Sequence, residues 1–173
     1  MIQRVLAGVG VVLLAGSAFA QETALEYEVK AAYLYNFVKF VAWPPAAARG
    51  PLTICVAAPS PFATALDDIV RGESIEGRPI TTRVVEDPQA SCQVLFIPRA
   101  VPSAEYLRAL RTLPVLTVGE TPEFVRDGGI VNFVRDAGMI HFEIDQDNAR
   151  RAGLQISSRL LRLARTPHPS ATP

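Results

Sequence analysis

The sequence predicts an α/β domain: a doubly wound, Rossmann-like, mostly parallel sheet flanked by helices, completed by a C-terminal antiparallel hairpin and helix. Three observations predict it. Short apolar runs ("LTICVAA", "QVLFIP", "PVLTVGE") alternate with segments that carry helix-start and helix-stop residues. Two runs of period-two alternation, residues 130–134 and 139–144, lie near the C-terminus and are split by "RDAG". A chain of 173 residues, 49% hydrophobic and 20% charged, has the size and composition of one domain with a sizeable core.

The elements follow in order. Residues 1–20 read as a cleaved signal peptide: Arg4 is the positive n-region, "VLAGVGVVLLAG" the apolar h-region, and Ala18 and Ala20 the small residues of the cleavage site. A membrane anchor is the competing reading, but the apolar run from Val5 to Ala20 falls short of the roughly 20 residues a bilayer needs. The single domain then spans residues 21–165, and "TPHPSATP" (166–173) reads as a disordered tail. From Thr23 a helix runs about twenty residues, with Leu25, Val29, Ala32, Tyr33, Asn36, Phe37, Phe40 and Val41 as the core-facing stripe, until Trp43 and the pair Pro44–Pro45 end it. "LTICVAA" is a buried strand. Ser60 caps the next helix, with Pro61 at its first position and Gly72 as its stop. A second strand lies around residues 80–85 and a third in "QVLFIP". A helix capped by Ser103 follows, then a fourth strand in "PVLTVGE" and a short helix in "TPEFVRDG". After the hairpin come a short helix capped by Asp145 and closed by Gly153, and a final amphipathic helix in "ISSRLLRLAR".

Charge and chemistry narrow the function. Lys and Arg number 17 against 17 Asp and Glu, which gives no electrostatic grip on nucleic acid. His168 lies in the tail, and His141 reads as a residue on the exposed face of an edge hairpin. No spacing of His, Cys and Asp resembles a metal site, and no nucleophile elbow is present, so no cofactor and no catalytic residue are assigned. "GVG" at 8–10 falls in the leader, and "GG" at 128–129 follows a predicted helix rather than a strand, so neither is a phosphate cradle. In an exported chain, two and only two cysteines invite a bridge between Cys55 and Cys92, if their strands are parallel neighbours; two free buried thiols are the alternative. A ligand crevice at the carboxyl ends of the strands would be lined by Ser60, Phe62, Arg99, Ser103 and Glu120. The opposite side of the first helix carries Tyr27, Ala31, Leu34, Tyr35 and Val38, an apolar surface expected to meet a protein partner or a second copy; the alternative is that other helices, or the C-terminal one, cover it.

Several stretches, in this order along the chain, resemble the YfiR-like periplasmic proteins: "EYEVKAAYLYNFVKFVAWP", "LTICVAAPSPF", "CQVLFI", "LTVGE", "GGIVNFVRDAGMIHFEID" and "ARRAGLQISSRLLRLA". The resemblance covers roughly residues 25–165. It implies a periplasmic negative regulator that binds the periplasmic part of a membrane diguanylate cyclase of the YfiN type, holding down cyclic di-GMP and with it exopolysaccharide and biofilm formation. It further implies an OmpA-like outer-membrane lipoprotein that sequesters the regulator, a homodimer, and a disulfide at Cys55 and Cys92. The alternative is a periplasmic small-ligand sensor acting on another membrane partner.

Overall fold

The apolar leading segment folds as helix α1 (Ala15–Phe37), passes through one 3₁₀ turn (Val38–Phe40) and enters a two-residue strand, β1 (Val41–Ala42). The computed structural model describes residues 15–88 and 91–165, with side chains from residue 24 onward. Most of the signal-peptide reading, the tail 166–173 and His168 lie outside that range. The sequence reading carries the helix on to the prolines. The chain leaves it sooner because β1 pairs antiparallel with β9 (Gln155–Ile156), and the Phe40 carbonyl accepts the Ser157 amide at 2.9 Å.

The main sheet has seven strands. In chain order they are β2 (Leu52–Ala57), β3 (Ser74–Ile75), β4 (Arg78–Val85), β5 (Val94–Ile97), β6 (Leu116–Gly119), β7 (Val131–Asp136) and β8 (Met139–Ile144). Their spatial order is β3-β4-β2-β5-β6-β7-β8. The five inner strands are parallel, and each edge strand is the antiparallel arm of a hairpin. Both hairpins use two-residue turns with positive φ at both positions, Glu76–Gly77 and Ala137–Gly138, the mirror-image turns whose twist matches that of the strands. The second turn sits one residue later than "RDAG" suggests at first sight, because Asp136 pairs with Met139.

Helix α2 (Phe62–Val70) leaves β2 toward one face and α3 (Ala104–Leu110) leaves β5 toward the other, so the winding reverses between these adjacent strands. The larger core lies under α1 and α2, where Leu34, Phe37, Phe62, Leu66, Phe96 and Phe133 meet. The smaller one lies under α3 and holds Cys55, Cys92, Leu95, Ile97, Leu107 and Phe124. Cys55 and Cys92 are bridged there, with Cα atoms 5.8 Å apart, inside the range a disulfide tolerates.

Two expected helices differ. Residues of "TPEFVRDG" form successive turns rather than a helix, because Phe124 turns its ring down into the smaller core between Gly119 and Gly129. A Cβ on either glycine would lie 2.3 or 2.1 Å from that ring. The last helix shrinks to one turn, α5 (Ser158–Leu161): β9 claims its start, and Arg165 bridges to Glu143 on β8, its amide donating to the Phe142 carbonyl at 2.8 Å. Helix α4 (Gln146–Arg151) forms as read, with the Asp145 carboxylate accepting the Asn148 amide at 2.8 Å. Among the described residues, no helix is long and apolar enough to cross a membrane.

Candidate functional site

A lysine sits in the middle of the buried stripe of α1. Lys30 is 4% exposed, between Tyr27 and Ala31 on the side that meets the sheet. Its ammonium donates to two carboxylates, that of Glu26 one turn earlier and that of Glu120, the residue that follows β6. Glu120 is itself 7% exposed. Its other carboxylate oxygen accepts the Arg99 amide at 2.8 Å, and its carbonyl accepts the Arg99 guanidinium at 2.9 Å. The second oxygen of Glu26 faces Arg135 at 3.2 Å. A chain of ion pairs thus runs Arg135–Glu26–Lys30–Glu120, and two hydrogen bonds between Glu120 and Arg99 extend it, joining α1 to the carboxyl ends of β5, β6 and β7. A buried charge is tolerated only when it is paired, and here each buried charge is.

The electrostatics spread to a neighbour. Burial pushes the Tyr27 phenol above its ordinary value, and the Glu120 charge adds in the same direction against the opposing effect of Lys30. The Lys30 ammonium also lies 5.9 Å from the Tyr27 ring centre and 6.0 Å from that of Phe133.

Three cavities, of about 310, 340 and 370 Å³, share Arg99 and Glu120 among their walls. They open at the carboxyl ends of the parallel strands, beside the reversal of winding between β2 and β5, where open α/β sheets bind ligands. Of the predicted crevice residues, Arg99 and Glu120 come together there, and Ser60 lines one of the three cavities. Two do not. Phe62 is fully buried, its ring 4.2 Å from that of Phe96, so it belongs to the core. Ser103 opens α3 without a side-chain cap bond and lines none of the three cavities. Ser60 lies one residue before the α2 cap position, and its hydroxyl accepts the Phe62 amide at 3.2 Å. Sequence reasoning misses Glu26, Lys30, Asn132 and Arg135. The available signal is the lone lysine inside "VKAAYLYNF", at a spacing that a rotated helix would bury.

The expected outer surface of α1 needs correction. Ala31, Leu34 and Val38 are 0, 0 and 2% exposed, in the core, while Tyr27 and Tyr35 are half-buried. The residues facing out are instead Leu25 and Val29. The phase differs because a reading that sends every charge to solvent turns Lys30 outward, whereas its partner Glu120 draws it in. Beside the exposed pair, Ala24, Tyr27, Ala65 and Ile69 line a groove of about 600 Å³ between α1 and α2. His141 is half-buried on the edge hairpin, its Nε2 2.9 Å from an Arg165 guanidinium nitrogen. Since that nitrogen can only donate, the contact requires His141 to accept through Nε2. Among the described residues, no group of three or more His, Cys, Asp or Glu side chains is placed to hold a metal ion.

A family model described as YfiR/HmsC-like matches residues 27–165. None of the curated proteins matches the chain.

Proposed function

The chain belongs to the YfiR/HmsC-like family, and on that premise we propose that it is an exported, non-catalytic regulator that binds the periplasmic part of an inner-membrane diguanylate cyclase of the YfiN type and holds it inactive. The family is associated with periplasmic regulation of cyclic di-GMP cyclases. The observation that carries the reading is the extent of the match, residues 27–165, which takes in the whole seven-stranded sheet and both cores. Repression by binding requires only that the regulator prefer one of two conformations of its partner. In this reading residues 1–20 are a cleaved signal peptide and the mature chain works in the periplasm as a homodimer. An OmpA-like outer-membrane lipoprotein sequesters it, and exopolysaccharide and biofilm formation rise when repression is lifted.

The surface we assign to the cyclase is the outward side of α1, Leu25 and Val29, with the adjoining groove against α2. Exposed apolar side chains beside an apolar groove favour a protein contact. Deleting the gene is expected to raise cyclic di-GMP and biofilm, and the Leu25→Arg/Val29→Glu chain is expected to be exported and folded yet fail to restore repression. Unchanged cyclic di-GMP after deletion would overturn the reading. A second reading, a small-ligand sensor, is favoured by the cavities around Arg99 and Glu120.

A further inference from the structure

Strands β6 and β7 pair only at Val118 with Val131 and Gly119 with Asn132. Beyond Glu120, therefore, β7 continues as an overhang, and the turns after Glu120 curl back across it. The notch between them is the cavity of about 340 Å³, whose walls include Arg99, Glu120, Asn132 and Arg135.

One wall residue lacks what its neighbours have. Asn132 is 4% exposed and its side-chain oxygen has no hydrogen-bond partner. Nearby buried polar groups are satisfied: the Thr117 hydroxyl accepts the Ile130 amide at 3.1 Å, and the Asn148 amide donates to the Val125 and Gly129 carbonyls at 2.8 Å each. Folded proteins leave few buried polar atoms unpaired, so an acceptor held this way at a cavity wall calls for a donor. Asn132 lines the cavity, and because the last torsion of an asparagine is broad its side-chain amide is free to offer the oxygen to a donor bound there. On the rim, the exposed Arg99 guanidinium donates to the Glu120 carbonyl and, among the described residues, pairs with no carboxylate. Its remaining donors suit a carboxylate or a phosphate.

We propose that this cavity binds a small organic anion that also carries a hydroxyl group, the anionic end on Arg99 and the hydroxyl donating to Asn132. The volume, near the lower end of ligand sites, suits a small ligand such as a hydroxycarboxylate or a short polyol phosphate. The site is separate from the α1 surface assigned to the cyclase, and its test needs no partner.

Two probe pairs separate the sources on the isolated mature chain, read by calorimetry and by amide chemical shifts: L-malate against succinate, and glycerol 3-phosphate against propyl phosphate. In at least one pair the hydroxylated member is expected to bind about tenfold or more tightly than its partner. Arg99→Ala, a change at an exposed position, is expected to abolish that binding. Asn132→Leu is expected to remove the preference for the hydroxylated member while leaving the residual anion affinity. Absence of binding by all four probes, equal affinities within both pairs, or unchanged affinity in Arg99→Ala overturns the proposal, and none of these results bears on repression of the cyclase.

Discussion

Lys30 and Glu120, ninety residues apart in the chain, meet as a buried ion pair that joins the leading helix to the end of the inner strand β6. Removing one partner of such a pair leaves the other charge in a low-dielectric site, at a cost of roughly 3–5 kcal/mol. Lys30→Ala is expected to lower stability by about that amount in urea unfolding, and Glu120→Leu similarly. The combined Lys30→Met/Glu120→Leu chain is expected to recover most of the loss, because replacing both charges with apolar volume is often neutral. Additive losses in the double variant would refute the coupling.

The bridge between Cys55 and Cys92 closes a loop with a sequence separation of 37 residues. In the chain-entropy account, opening it destabilises the fold by about 3–4 kcal/mol. A melting temperature that falls in reductant for the natural chain, and does not change in reductant for the Cys55→Ala/Cys92→Ala chain, is the expected pattern. Identical melting of the natural chain with and without reductant would count against a bridge that matters.

Phe124 fills the space between Gly119 and Gly129, where an added Cβ would meet its ring at 2.3 and 2.1 Å. Neither glycine has positive φ, so the requirement is room and not backbone freedom. Gly119→Ala is expected to cost about 1–3 kcal/mol or more through overpacking. In a Phe124→Ala background the same substitution is expected to cost little. A Gly119→Ala penalty that persists there would show that something other than the ring sets it.

Burial pushes the Tyr106 phenol above its ordinary value of 10.0, with Asp87, Glu105 and Glu86 adding in the same direction, and its hydroxyl donates to the Glu86 carbonyl at 2.5 Å. A group whose pKa is raised by folding binds its proton more tightly in the folded state. Its contribution is therefore complete below pH 10 and is lost as pH rises through the folded value. Stability is expected to fall in strongly alkaline solution, and Tyr106→Phe is expected to flatten that fall while costing about 1 kcal/mol at neutral pH. An alkaline profile unchanged in Tyr106→Phe would assign the loss to other groups.

The strands and their turns are legible because each is encoded within a few residues. The runs that become β2, β5 and β6 are apolar apart from Thr53 and Thr117, as suits strands buried on both faces. The β7–β8 hairpin shows its alternation and its glycine in one glance along the chain. The β3–β4 hairpin escapes notice since only two residues precede its Glu76–Gly77 turn. The cap at Asp145 and the stop at Gly153 are equally local.

The crevice was half legible. The winding rule placed Arg99 and Glu120 at the strand ends, and chain connectivity alone carries that rule. Phe62 and Ser103 failed because which way a side chain points after a strand depends on what packs over it.

Residue order along the chain was sufficient for the α/β alternation, the positions of the inner strands and the candidate pairing of the two cysteines, since short-range periodicity and connectivity carry all three. The rotation of α1 and the shortening of the last helix came from contacts between residues far apart in the chain, Lys30 with Glu120 and Arg165 with the strand holding Phe142. The helix at "TPEFVRDG" was lost to the tertiary burial of the Phe124 ring against Gly119 and Gly129 in the smaller core. Burial and pairing energies across such distances outweigh the few tenths of a kcal/mol by which local preferences differ, so only the folded arrangement could settle them.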